Sequence, residues 1–120
     1  MAPIYSPRMT NALIRCTRSD DKASPFFELM QVELERDDLR LWVWDMTYPR
    51  DRLWDEDMEQ LCNEIEMNRD LLTSLNNGSE DFTLHLAVYA EGSSYPFSIP
   101  NHLTRLSTDC GFDIEVYVDN

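Results

Sequence analysis

Residues 82–90 read Phe-Thr-Leu-His-Leu-Ala-Val-Tyr-Ala, and the fold class is best predicted from this segment. Large apolar side chains take every second position from Phe82 to Val88, and the positions between them include His85 and Tyr89. A period of two is typical of a β-strand with one buried face. Alternating strands of this kind usually belong to antiparallel sheets with one face against helices and one face toward solvent.

The segment that follows predicts a short helix and a last strand. The helix begins at Ile99-Pro100, runs to about Asp109 and ends at Gly111, because proline suits a helix start and glycine a helix end. Apolar residues then alternate again. We expect the core face of this last strand to carry Phe112, Ile114, Val116 and Val118.

The segment before residue 82 predicts a long helix over residues 53–75, ended by Asn76-Asn77-Gly78. Its apolar residues recur at helical spacing and form one buried stripe. The stripe consists of Trp54, Met58, Leu61, Ile65, Leu72 and Leu75.

Earlier strands are predicted over residues 11–18, from about Met30 to residue 35, and over residues 39–48. Residues 26–30 fit either a short helix after Ser24-Pro25 or the first part of a strand over residues 26–35, and we prefer a strand that begins at about Met30. Residues 1–9 carry two prolines and no period, so we expect them to be poorly ordered.

Trp42 and Trp44 lie on the strand face opposite Leu41 and Val43. Two exposed tryptophans are costly without a partner, so they either belong to a core layer or anchor an interface. The core interpretation is favoured, since tryptophan is mostly buried.

The element order favours an α+β fold. We predict a two-layer sandwich, with a mainly antiparallel sheet and one long and one short helix on one face. A chain of 120 residues is expected to form a single domain spanning residues 1–120.

Negative charge is concentrated in the later part of the chain. Residues 41–120 hold sixteen of the 23 acidic residues against four arginines, and the formal net charge of the chain is −13. Such a field repels nucleic acid and anionic membranes and attracts basic proteins. We therefore expect a basic protein partner, with no direct nucleic-acid binding and no membrane association. No signal sequence or spanning segment is evident, which predicts a cytoplasmic protein.

The first candidate surface lies on the long helix. At ~100° per residue, four acidic residues fall within a sector of roughly 60°. They are Asp55, Glu59, Glu66 and Asp70. Like charges at this spacing destabilise a helix, so the set is either an ordinary solvated face or a docking ridge for a basic partner.

The second candidate surface lies on the last strand. Asp113, Glu115 and Asp119 alternate with its apolar residues and share their side with Tyr117. If the strand of residues 82–90 pairs with it, His85 and Tyr89 lie on the same outer face. Carboxylates beside tyrosines suit protein binding, although a polar sheet exterior has the same composition.

The sequence predicts no catalytic residues, no metal site and no cofactor. The two histidines lie on separate elements, without metal-ligand spacing to cysteines or carboxylates, and there is no glycine-rich phosphate loop. Cys16, Cys62 and Cys110 are scattered and odd in number, which favours reduced thiols.

The last two thirds of the chain carry four segments that together suggest a family. They are Leu41-Trp42-Val43-Trp44, Asp70-Leu71-Leu72-Thr73-Ser74-Leu75, Leu84-His85-Leu86-Ala87-Val88-Tyr89, and Leu103-Thr104-Arg105-Leu106 followed by Asp113-Ile114-Glu115-Val116-Tyr117. In this order they resemble a small bacterial domain of unknown function found among polymorphic-toxin immunity proteins. The resemblance implies an α+β architecture and neutralisation of a toxin by binding, and it carries over no site residue.

We therefore expect an acidic inhibitor that occludes the basic active site of a nuclease-like effector. The residues expected to bind the partner are Asp55, Glu59, Glu66, Asp70, Asp113, Glu115 and Tyr117. Two alternatives remain open. One is a phage-encoded anti-defence protein, of the anti-CRISPR type, that mimics nucleic acid, and the other is a module that senses a small ligand or a metal.

Overall fold

The computed structural model describes residues 8–18, 31–36, 39–47, 54–76, 79–89 and 98–119. Within these residues the chain forms a mixed α+β fold with five strands and three helices. In chain order they are β1 (Arg8–Arg18), β2 (Gln31–Arg36), β3 (Leu39–Thr47), α1 (Trp54–Met67), α2 (Arg69–Asn76), β4 (Glu80–Tyr89), α3 (Asn101–Cys110) and β5 (Asp113–Asp119). No helix in the described part of the chain has the length and apolar character needed to cross a membrane.

The strands form one sheet in the order β2-β3-β1-β4-β5. Three of the neighbouring pairs are antiparallel, which confirms the mainly antiparallel sheet. The pair β4 and β5 is parallel. The connection from β4 to β5 contains α3, and a crossover connection of this kind lets the two strands run in the same direction.

The predicted single helix over residues 53–75 is two helices separated at Asn68. The Asn68 backbone N–H bonds the Ile65 carbonyl at 3.0 Å, and its side-chain amide donates to the Glu64 carbonyl at 2.8 Å. An asparagine side chain that takes a helical carbonyl competes with the regular ladder, which explains the break. The six-residue apolar stripe is nevertheless buried throughout, as predicted.

Buried residues of the helices and of the sheet form one common core cluster. Trp42 and Trp44 are 5% and 7% exposed and are register neighbours of Cys16 and Ile14. They belong to the same buried cluster as the helical stripe and the inward residues of β4. The core interpretation of the two tryptophans is therefore confirmed.

Two expectations at the ends of the chain are corrected. β1 begins at Arg8, so Arg8 and Met9 lie in a strand and not in a disordered start, because β1 pairs with β4 there. In β5, Phe112 precedes the strand and is buried and Ile114 is half-buried, but Val116 and Val118 are 37% and 47% exposed. The expected core face of β5 therefore fails in its second half. Residues 1–7 and the ambiguous segment 26–30 lie outside the described residues.

Candidate functional site

β5 forms one edge of the sheet. Its only neighbour among the described strands is β4, with Thr83 opposite Asp113, His85 opposite Glu115 and Ala87 opposite Tyr117. Because side chains alternate along a strand, these residues all lie on the face away from the core. The predicted grouping of His85 with the acidic side of the last strand is therefore confirmed.

Three side chains on this face form a compact polar cluster, which consists of His85, Glu115 and Tyr117. The Tyr117 hydroxyl donates to Glu115 Oε2 at 2.7 Å, and His85 Nδ1 lies 3.3 Å from the same oxygen. The rings of His85 and Tyr117 stack with centroids 5.5 Å apart and planes at 15°. Both ring residues therefore hold the Glu115 carboxylate in one orientation.

Within this cluster, neither His85 nor Tyr117 carries a positive charge that would neutralise Glu115. Burial is the main cause that lowers the pKa of His85 below 6.5, and the Arg15 charge acts in the same direction against the effect of Glu115. The hydrogen bond to Glu115 raises the pKa of Tyr117, so its hydroxyl remains a donor. At neutral pH His85 is uncharged and does not cancel the charge of Glu115.

The chemistry of the cluster fits binding better than proton transfer. His85 is only 8% exposed, and its Nε2 is a buried atom that has no hydrogen-bond partner among the described residues. A general base must reach the proton that it abstracts. A buried Nε2 does not meet this requirement, whereas Glu115 and Tyr117 are exposed and reach solvent.

Apolar residues are exposed beside these polar groups. Val116 and Val118 lie on the opposite face of β5 from Glu115, and Tyr117 between them is 55% exposed. Tyr89, at the adjoining end of β4, is 41% exposed. The second half of β5 therefore combines apolar contact area with a charged group, as protein interfaces do. Alternation alone places the two valines in the core, and the signal that could have indicated their exposure was the position of β5 as the last strand after a crossover.

The four acidic residues of the helices are all exposed, but they do not form one uniform ridge. Asp55, Glu59 and Glu66 lie on α1, whereas Asp70 lies in the first turn of α2, beyond the break at Asn68. The angular position calculated for a continuous helix therefore does not extend to Asp70.

Glu66 is also partly neutralised. Its Oε1 lies 3.3 Å from Arg69 Nη1, and its Oε2 lies 3.6 Å from His102 Nε2. Arg69 also donates to Asp109 of α3. Arg69 thus links the three helices and offsets part of the like-charge repulsion that the sequence predicts.

Asp55 and Glu59 line a groove between α1 and the start of α3. Its volume is about 210 Å³, and Trp54, Met58 and His102 also line it. The Trp54 indole N–H donates to the Ser98 carbonyl at 3.0 Å, which ties α1 to the segment before α3. The structure therefore brings Asp55 and Glu59 together on a different element from Asp113, Glu115 and Tyr117, which lie on β5.

The cysteines and other metal-binding side chains form no metal centre in the described residues, where no three His, Cys, Asp or Glu side chains are grouped to hold an ion. All three cysteines are buried. Burial is the main cause that raises the pKa of Cys62 and of Cys110, so both thiols stay protonated at neutral pH. Neutral buried thiols pack and are weak nucleophiles.

Comparison of the chain with models of protein families, with curated proteins and with solved structures finds no match.

Proposed function

We propose that this protein binds a basic protein and occludes its functional site, as a toxin-neutralising immunity protein does to a nuclease-like effector. The observation that carries the proposal is the exposed edge strand β5, on which Tyr117, Val116 and Val118 are exposed beside the Glu115 carboxylate. An exposed apolar edge is a liability for a soluble domain unless a partner covers it.

Charge supports the choice of a basic partner. The formal net charge is −13, and two of the acidic residues, Asp113 and Glu115, lie on the same face of β5 as Tyr117. A field of this sign accelerates the approach of a cationic protein, and apolar and aromatic contacts then slow dissociation. Carboxylates placed where phosphates would bind would block a nuclease active site.

Partner capture tests the proposal. The purified protein, immobilised and exposed to a lysate of its native host, is expected to retain a basic protein at low salt and to lose most of it as the salt concentration rises. Mass spectrometry identifies the protein, and its nuclease activity is then measured with and without the acidic protein. Loss of that activity at equimolar ratio supports inhibition.

The same experiment separates the alternatives. Capture of a component of a nucleic-acid-guided defence complex would favour a nucleic-acid mimic. Failure to retain any basic protein at low salt, or retention without loss of activity, would contradict the inhibitor proposal.

The proposal includes a two-layer arrangement and a cytoplasmic location. The helices would form one layer over the Trp42 and Trp44 face of the sheet and leave the Glu115 face for recognition. The common buried cluster of helical and sheet residues supports the first part. The scattered, buried cysteines, which suit a reducing compartment, support the second.

A further inference from the structure

We propose that the partner extends the sheet by adding a strand to the outer edge of β5, through a segment in which basic and apolar residues alternate. This inference rests on the proposed function and specifies how the basic protein is recognised.

The edge position of β5 supplies the backbone part of the recognition. Of the described strands only β4 pairs with β5, so every second residue of β5 directs its backbone N–H and C=O groups away from the sheet. An extended peptide gains affinity by bonding to such groups, and its alternate side chains supply specificity. The edge remains accessible, since the residues from Glu115 to Val118 are all exposed.

The two faces of β5 differ in chemistry, and this difference determines the pattern of the added strand. Asp113, Glu115 and Tyr117 lie on the face away from the core, whereas Val116 and Val118 lie on the opposite face. Cross-strand neighbours on one face contact each other directly. Lysine or arginine therefore suits the positions beside Glu115, and apolar residues suit the positions beside the valines.

A second copy of this chain is a poor occupant of the same edge. Pairing β5 with itself would bring Asp113 and Glu115 of both copies onto one face, and like charges across a strand pair are destabilising. Two chains of net charge −13 also repel each other at long range. Charge complementarity thus selects a basic segment over a copy of the chain.

The experiment compares two labelled peptides of identical composition and about the length of β5. In one, lysine and valine alternate, and in the other the lysines are grouped at one end. Fluorescence anisotropy is expected to show binding of the alternating peptide at least about tenfold tighter than that of the grouped peptide. Hydrogen exchange of the complex is expected to protect amides of β5.

A matched pair of variants tests the location. Val118→Lys places a charge on the proposed docking edge, whereas Met67→Lys makes the same charge change at a residue of α1 that is 85% exposed. Val118→Lys is expected to weaken binding of the alternating peptide by about tenfold or more, and Met67→Lys by less than about twofold. Thermal unfolding confirms that both variants are folded.

Three results would overturn the inference. They are equal affinity for the two peptides, equal effects of the two variants, and a dimer in analytical ultracentrifugation that Val118→Lys dissociates, which would make a second copy the occupant. If host capture still yields a basic protein that Val118→Lys binds normally, strand addition at β5 is wrong while the proposed function stands. If capture yields no basic protein, the proposed function itself fails.

Discussion

Gly111 determines at single-residue scale how the chain passes from α3 into β5. Its φ is +86°, and its backbone N–H bonds the Ser107 carbonyl at 2.8 Å, as in a left-handed helix end. A Cβ at this position would overlap the Asn76 side chain at the end of α2. Glycine is therefore favoured at this position both by the left-handed backbone and by the lack of space for a Cβ.

Gly111→Ala is expected to lower the free energy of unfolding by about 1–2 kcal/mol for the left-handed backbone alone, and further for the overlap with Asn76. Urea denaturation measures the loss. Asn76→Ala in the same background removes the overlapping atoms and should recover only the second part. Full recovery in the double variant would show that the backbone conformation costs nothing.

His85 makes stability depend on pH. Its folded-state pKa lies below 6.5, so between 6.5 and that value the unfolded chain takes up a proton that the folded chain does not. His85 therefore does not lower the free energy of unfolding above pH 6.5. Below pH 6.5 the free energy of unfolding falls as the pH drops toward the folded-state pKa of His85.

The His85→Gln variant is expected to lose this part of the pH dependence, because it has no imidazole to charge. Urea denaturation of both proteins above and below pH 6.5 measures the difference. His102 is exposed, and His102→Gln supplies the matched control, since it removes a histidine that is not buried. Identical slopes for the wild type and His85→Gln would contradict the role assigned to His85.

At the scale of elements, the sequence predicts most strands and helices but not what covers them. The period of residues 82–90 predicts β4 and its buried face, and both are confirmed. The same reasoning places Val116 and Val118 in the core, which is wrong. Alternation identifies a face of a strand, whereas burial also depends on what packs against that face, and along β5 at the sheet edge Ile114 is half-buried while Val116 and Val118 are exposed.

The acidic residues of β5 and those of the helices also differ in which of their contacts the sequence predicts. The grouping of Glu115 and Tyr117 with His85 follows from strand alternation, so it could be predicted. Glu66 and Arg69 have the i,i+3 spacing at which helical side chains meet, so their pairing could be predicted from the sequence, whereas the contact of Glu66 with His102 depends on the position of α3, which periodicity does not give. These contacts do not test whether the helical residues bind a partner, and the charge-matched variants described below separate that prediction from recognition through β5.

Arg18 attaches β1 to α2, and the composition of the sequence does not indicate this contact. It is 1% exposed, and its Nη1 donates to the Leu75 carbonyl at 2.5 Å and to Ser79 Oγ at 2.6 Å. The end of β1 is thereby attached to the last turn of α2, where a positive charge also complements the helix dipole.

Arg18→Met is expected to lower the free energy of unfolding by about 2–4 kcal/mol, because it removes buried charged hydrogen bonds and leaves the Leu75 carbonyl without this donor. Chemical denaturation measures the loss, and hydrogen exchange should show α2 opening first. Arg105→Met on α3, at an exposed position, is the control and should change stability by less than about 0.5 kcal/mol. Equal losses in the two variants would remove the anchor from the account.

At the scale of the whole molecule, partner recognition depends on where the negative charge acts. The net charge of −13 attracts any cationic protein from a distance, so the charge alone does not identify a docking face. The two acidic sets are distinguished by their surroundings. Asp113 and Glu115 adjoin the exposed apolar edge of β5, whereas Asp55 and Glu59 line a groove between helices.

The affinity of the captured basic partner for two charge-matched double variants tests this claim most directly. Asp113→Asn/Glu115→Gln and Asp55→Asn/Glu59→Gln each remove two negative charges with isosteric side chains. Calorimetry at fixed salt concentration is expected to show at least about tenfold weaker binding for the β5 variant and less than about twofold for the helix variant. Equal losses, or a larger loss for the helix variant, would contradict recognition through β5.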